Sequence, residues 1–392
     1  MNVYLSAREA ANFLQVSKQT LYAYVSRGFL RSDFGKDSRS RLYNRLDLER
    51  LKERKRIRKH PGAELSEALS WGPPLLDSKL SLITNGRLYY RGVATSTLAL
   101  QRSFWDVASW FWTGSWGAQK PLTGDRRHGL VRADPILSFH ERLLEMAATD
   151  PLGYDFTPPA LVSTGGAILQ LFLGCLTRRS NASIARTERN LQRGWCPRLA
   201  KAEGVINAAL VLCIDHELNP SSFTARVVCS AGANLYEVVS AALCALRGAR
   251  HGGATERSTS LLTELRECSS VRKAILKRLR SGVEIPGFGH PLYPGGDPRA
   301  GLLLRLLAEY FPSEAQPWLR AIAVAEKVIQ RPPNIDLALA ACARILSLPT
   351  GAAFGLFALG RTVGWIGHAA EQHLSGQTIR PRARYVGPLP QE

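Results

Sequence analysis

"IPGFGHPLYPGGDPRA", residues 285–300, sets a histidine in a run of residues that bend the backbone, with an arginine nine places further on. Gly287 and Gly289 flank Phe288 immediately before His290, and Asp297, Pro298 and Arg299 close the stretch. Glycine lets a chain turn tightly and approach a ligand closely. The stretch therefore reads as a tightly bent loop that carries an imidazole with a fixed cation close behind it.

Outward from this loop the chain is mostly apolar and helical in pattern. "SFWDVASWFWTG", "GVINAALVLCIDHELN", "NLYEVVSAALCALRG", "RAGLLLRLLAEYF" and "ALAACARILSL" suit amphipathic or buried helices. Only "LSLITNGRLYYRG" suggests strands, with Asn85-Gly86 as a hairpin turn. Three more polar clusters interrupt the helices: "IDHELNPSSFTARV" around His216, "LRGARHGGATE" around His251, and "PPNIDLAL" around Asp336. Arginines follow in "FALGRTVGWIGHAAEQ" and "TIRPRARYVG". Singly, each cluster has a bland account. Asp336 can cap a helix, His251 can satisfy the carbonyls at the end of its helix, and His216 can be a core histidine. No H-x-x-x-H pair or Cys partner marks a metal site, so none is expected.

The composition is ordinary for a globular chain, with 45% apolar and 21% charged residues among 392. That length allows more than one domain. Ala160–Leu176, broken by Ser163, Thr164 and Gln170, reads as a buried core helix rather than a membrane span. The opening "MNVYLSAREA" has no signal-peptide stretch. Seven scattered cysteines, without a CxxC pair, read as buried structural thiols. A cytoplasmic location is expected. The net charge is +19, and residues 1–60 hold 15 Lys+Arg against 6 Asp+Glu, a balance of +9. Such an excess points to a basic N-terminal module that meets polyanions.

That module has its own pattern. Ser6 and Glu9 in "SAREAANFL" have capping-box spacing. "QVS" is a short turn, and Ser17 can cap a second helix, "SKQTLYAYVSRG", which Gly28 ends. "FLRSDFGKDSRSRLYN" reads as a hairpin or wing and "RLDLERLKERKR" as a third helix. Residues 1–56 resemble the winged helix-turn-helix domains of MerR and excisionase type. The resemblance implies Lys18, Gln19, Thr20 and Tyr22 near bases, and Arg31, Lys36, Arg39 and Arg41 at phosphates. A helical domain that only docks or assembles is the alternative reading. Residues 57–75, rich in breakers, read as a linker.

From about residue 78 to 388 the ordered motifs resemble the citrate synthase family. G-F-G-H precedes D-P-R, and "DHELN" with "SFTARV", "HGGA", N-x-D, R-x-x-GW-x-x-H-x-x-EQ and a terminal "RPR" fall in the expected order. The resemblance implies a mainly α fold with large and small helical domains over residues 76–392. The small, mobile one spans roughly 252–347. It also implies roles: Asp336 as base toward acetyl-CoA, His251 as donor to the thioester oxygen, and His290 as donor to the ketone of oxaloacetate. Arg299 and Arg361 bind the oxaloacetate carboxylates, His216 makes an additional oxaloacetate contact, and Arg380 comes from a neighbouring subunit of a homodimer. No permanently bound cofactor is implied, acetyl-CoA being a co-substrate. The alternatives are a 2-methylcitrate synthase using propionyl-CoA and a DNA-binding regulator whose synthase body senses a metabolite. Two positions depart from the family's pattern: Pro291 stands where a longer polar side chain is common, and Thr255 where asparagine often follows "HGGA".

Overall fold

The computed structural model describes residues 4–26, 30–34, 41–44, 47–48, 51, 76–117, 134–179, 183–383 and 385–388. The chain divides into two compact units, residues 1–77 and 78–392.

In the first unit, β1 (Tyr4–Ser6) leads into α1 (Ala7–Phe13), then α2 (Lys18–Ser26), β2 (Asp33–Phe34) and β3 (Arg41–Asn44). The strands form an antiparallel sheet in the order β1-β3-β2, so β2 and β3 make the expected wing. Strand β1 was not anticipated; three residues are too few to show an alternating pattern. The capping box is present: the Glu9 backbone N–H donates to Ser6 Oγ and the Ser6 N–H to Glu9 Oε2 at 2.8 Å. Gln15 turns the chain at φ 52°, and the Thr20 N–H donates to Ser17 Oγ at 3.1 Å at the start of α2. Ala10, Ala11, Leu14, Leu21, Leu30, Tyr43, Leu48 and Leu51 form the core of this unit. Of the third expected helix only Asp47, Leu48 and Leu51 are described, all helical. Gly28, Lys36, Arg39 and the linker 57–75 lie outside the described residues.

The second unit opens with a β-meander: β4 (Ser81–Thr84), β5 (Arg87–Tyr90) and β6 (Val93–Ala94). Asn85 and Gly86 take φ 50° and 68°, the mirror-image turn expected of an Asn-Gly hairpin. Helices follow: α3 (Thr95–Gln101), α4 (Phe104–Thr113), α5 (Pro135–Thr149), α6 (Pro158–Thr177), α7 (Thr187–Trp195) and α8 (Ala202–Cys213). Then come α9 (Pro220–Ser230), α10 (Leu235–Leu246), α11 (Gly253–Glu267), α12 (Val271–Arg280), α13 (Pro298–Tyr310), α14 (Pro312–Ile329), α15 (Ile335–Ile345) and α16 (Ala352–Ser375). Helix α6 is long and apolar enough to cross a membrane, yet 78% of its most apolar window is buried inside the protein. It is a core helix. Helix α8 stops at Cys213, so the polar "DHELN" run is a turn rather than a helix end. The cysteines are free, and five are buried, but Cys244 is exposed on α10 and Cys268 half-buried. The expectation of seven buried thiols fails there because α10 turns position 244 to its outer face.

Helix α16 forms the axis of the unit and is buried over most of its length. A Cβ on Gly360 would meet Leu210 O at 2.6 Å, and one on Gly364 would meet Ile214 O at 2.1 Å. These glycines, four residues apart, share one face. They let the end of α8 and the turn after it lie directly on the α16 backbone, which brings Arg361 against the segment carrying His216.

Candidate active site

Three chain segments are tied together at the loop read first. Gly287 and Gly289 have φ 86° and 78°, a region that disfavours any side chain. A Cβ on Gly287 would also meet Leu337 Cβ at 2.8 Å. The Gly289 N–H donates to Pro332 O at 2.7 Å, the Asn334 N–H to Gly287 O at 2.9 Å, and Asn334 Nδ2 to Gly289 O at 3.1 Å. The loop of His290 and the start of α15, which carries Asp336, are thereby one structure. Asn334 Oδ1 also accepts from the Asp336 N–H at 3.1 Å, so Asn334 is the cap of α15. The bland account of Asp336 as a cap is thus taken by its neighbour, leaving its carboxyl group without a capping role.

Asp297 joins the same assembly. Its Oδ1 accepts from the Arg299 backbone N–H and from Arg299 Nε, each at 3.0 Å, and its Oδ2 from Arg299 Nη2 at 2.8 Å. Oδ2 also accepts from the Ile335 N–H at 3.0 Å. One carboxylate therefore caps α13, fixes the Arg299 guanidinium and holds the start of α15. Burial pushes the Asp297 carboxyl up, and the adjoining Arg299 outweighs that and holds it below the usual carboxylate range. The part of the Arg299 fork not bonded to Asp297 remains for a ligand carboxylate.

The histidines converge around this core. His216 is buried; its Nε2 lies 3.0 Å from the Tyr293 hydroxyl and its ring 4.8 Å from that of His290. Burial, then the Arg299, His290, Arg361 and His251 charges, push His216 well below the ordinary histidine range, so the ring is neutral. The Leu292 N–H donates to His290 Nδ1 at 3.2 Å. A neutral His290 then carries its proton on Nε2, as a hydrogen-bond donor. Burial, then Arg299, push His290 down to about 4. His251 stands between α10 and α11, with Nε2 2.8 Å from Ser221 Oγ rather than on helix-end carbonyls. Burial, then Arg361, push it down to about 3. The Ser221 hydroxyl has a second acceptor, Asn219 Oδ1 at 2.7 Å. When its proton turns to His251 Nε2, the neutral ring becomes a donor through Nδ1.

Arg361 is fully buried on α16, donates from Nε to Cys213 O at 2.9 Å, and lies 4.9 Å over the Phe357 ring. Asp336 is half-buried, and desolvation raises its carboxyl, opposed first by a hydrogen bond from Thr255 and then by the Arg299 charge. Arg380 is the exception among the expected residues. It is exposed in the extended tail after α16, which is anchored by the Ile379 N–H donating to Ser230 Oγ at 3.0 Å. Nothing brings it to the site of its own chain.

Beneath the site runs a buried polar chain that the sequence reading left without a role. Arg226 Nε donates to His368 Nδ1 at 3.1 Å, which puts the His368 proton on Nε2, 3.1 Å from Asp215 Oδ1. Ser81 Oγ donates to Asp215 Oδ2 at 2.5 Å, and Arg226 pairs with Glu371. Burial pushes Asp215 up, and His368 and Arg361 outweigh it, leaving a carboxylate below its usual range. This chain locks the residue next to His216. Tyr293, Ser221 and Asp297 were also missed as functional partners, although each sits inside a quoted motif. Among the described residues no group of His, Cys, Asp and Glu has the form of a metal centre.

A family profile described as citrate synthase, C-terminal domain, matches residues 176–382, and one described as a helix-turn-helix domain matches residues 4–56. The chain belongs to the citrate synthase family. Citrate synthase 2 of Bacillus subtilis is 38% identical over 189 residues, which are 46% of this chain and 50% of that protein. A relative from Mycobacterium tuberculosis is 30% identical over 332 residues, 78% of this chain and 88% of its own. A 2-methylcitrate synthase from Shewanella oneidensis is 30% identical over 48% of this chain. The crystal structure of citrate synthase from Thermotoga maritima covers 85% of this chain and 97% of its own, at 27% identity and a TM-score of 0.63. The citrate synthase fold and family are thus established, and the relatives' names include both citrate synthase and 2-methylcitrate synthase.

In the first unit, Lys18, Gln19 and Arg31 are exposed and Tyr22 is 47% exposed, so these side chains face outward from α2 and the turn beyond it. The Thr20 hydroxyl lies 2.9 Å from Ser17 Oγ and is engaged in the cap instead. Exposed Arg41 donates from Nη1 to Ser32 Oγ at 3.3 Å.

Proposed function

We propose that this chain is a citrate synthase that condenses acetyl-CoA with oxaloacetate and water to give citrate and CoA. What supports the reading is that Asp297 ties Arg299 to the start of α15, which carries Asp336, that the His290 loop is bonded to the same start, and that the Arg361 charge acts on both His251 and Asp336. Arg299, Arg361 and His216 grip the carboxylates and ketone side of oxaloacetate, guanidinium being suited to bidentate pairing. Asp336 takes a proton from the acetyl methyl carbon. A carboxylate is far too weak a base to do so alone. His251 donates to the thioester oxygen as charge develops there. The enol carbon then bonds to the ketone carbon, and His290 gives its Nε2 proton to the ketone oxygen. Water cleaves the citryl thioester, releasing CoA and citrate.

The test is thiol release with oxaloacetate, comparing acetyl-CoA and propionyl-CoA. Faster turnover per bound acetyl-CoA supports citrate synthase. A preference for propionyl-CoA reassigns the chain as a 2-methylcitrate synthase; one methylene is worth only about 1–3 kcal/mol in such a pocket.

The protein acts as a homodimer with shared sites. What supports this is that the apolar side chains Leu144, Leu152 and Tyr154 are each more than half exposed, and that Arg380 is exposed in the tail after α16. Arg380→Ala should raise the oxaloacetate KM by about tenfold or more, the scale of one charged hydrogen bond. Mixed with Arg299→Ala chains, it should regain activity, since each mixed dimer holds one intact site. No rescue after confirmed subunit exchange would place Arg380 outside the site.

A second reading rests on the helix-turn-helix unit with its outward Lys18, Gln19 and Tyr22. There the chain binds DNA, as a regulator or with a double role. Titration of labelled DNA across salt concentrations distinguishes it: affinity that falls steeply with salt and shifts with oxaloacetate supports it. A unit that only docks or assembles leaves DNA unbound.

A further inference from the structure

We infer that Thr255 is the residue that aims the Asp336 carboxylate, a positioning role resting on the proposed condensation. Thr255 is fully buried in the first turn of α11, and its Oγ1 donates to Asp336 Oδ1 at 2.5 Å. The helix itself supplies the comparison. Its other hydroxyl residues all bond back one turn: Ser258 to Ala254 O, Thr259 to Thr255 O, Ser260 to Glu256 O and Thr263 to Thr259 O. That is the ordinary habit of Ser and Thr inside a helix. Thr255 alone departs from it. Its side chain points across to α15 instead.

Two consequences follow. The hydroxyl has one proton and spends it on Oδ1, which leaves Oδ2 as the oxygen that receives the substrate proton. The carboxylate plane is fixed by this bond, because no other hydrogen bond to the Asp336 carboxyl group occurs among the described residues. The hydroxyl also favours the charged form of a carboxyl group that burial pushes the other way. Thr255 sits four residues after His251, so one short segment sets both the base and the donor that must act together.

The experiment is the pH–rate profile of thiol release for the intact protein and for Thr255→Val and Thr255→Ser. Valine keeps the shape and removes the donor; serine keeps the donor. Asp336 works only when ionised, so activity falls as pH drops through its pKa. Loss of the bond raises that pKa, and the acid limb for valine should move to higher pH by about one unit, with a kcat about tenfold lower at neutral pH. KM for oxaloacetate should stay within about twofold, and serine should restore the native profile. An unmoved limb and unchanged kcat in a folded valine variant would overturn the role. So would a serine variant no better than valine, which would show that packing alone matters. Absence of thiol release by the native protein would instead sink the condensation reading itself.

Discussion

Asp336→Asn abolishes condensation, with thiol release falling about a thousandfold or more, while oxaloacetate still binds within about threefold of the native affinity. The size follows from losing a general base, worth about two to four orders of magnitude. Asparagine has nearly the same shape, and its side-chain oxygen can keep the bond from Thr255, so the fold has little reason to change. It cannot accept a proton from carbon. In the proposed reading oxaloacetate is held by Arg299, Arg361 and His216, none of which bonds to Asp336, so its affinity should survive. Calorimetric titration of oxaloacetate, set beside the thiol assay, reads both halves. Near-native turnover would remove Asp336 from the chemistry; lost binding would make it a structural residue.

The largest stability effect belongs to Gly364. A Cβ there would lie 2.1 Å from Ile214 O and 3.2 Å from Asp215 Oδ1. The first is backbone and cannot swing aside, so α16 and the turn after α8 must separate. Overpacking of this kind costs about 3 kcal/mol or more. The displaced turn carries Asp215 and His216, so oxaloacetate binding should weaken in whatever fraction folds. Gly301→Ala on α13 is the control. No atom lies within 4 Å of its Cβ position and its φ is not positive. There alanine should stabilise by about 0.5–1 kcal/mol through helix propensity. Denaturant midpoints followed by tryptophan fluorescence compare the two. A Gly364→Ala protein as stable as the control would show that α16 does not rest on this turn.

The loop around His290 was legible because its constraints are local. Glycines that need positive φ, a histidine directly after them and an arginine two places after an aspartate all lie within sixteen residues of sequence. The helices were legible for a similar reason, since periodicity is a short-range signal. What escaped was pairing across long separations. Thr255 and Asp336 are 81 residues apart, and Asp215 and His368 are 153 apart. Either pair becomes visible only when α16 and α15 are packed in place. The glycine at 364 looked like one apolar-helix residue among many, and its meaning lies in the backbone opposite. Thr255 was noticed only as a departure from asparagine, because nothing in the sequence says where its hydroxyl points. Arg380 was assigned to a neighbouring subunit, and a single chain leaves it exposed.

The most direct test follows carbon. The native protein is mixed with oxaloacetate and acetyl-CoA labelled at both acetyl carbons, and products are read by mass spectrometry. The account requires citrate carrying both labels in step with CoA release, and almost none from the Asp336→Asn protein. Labelled acetate without citrate would mean thioester hydrolysis with no carbon–carbon bond formed. That result, or no product from a protein that still binds oxaloacetate, would contradict it.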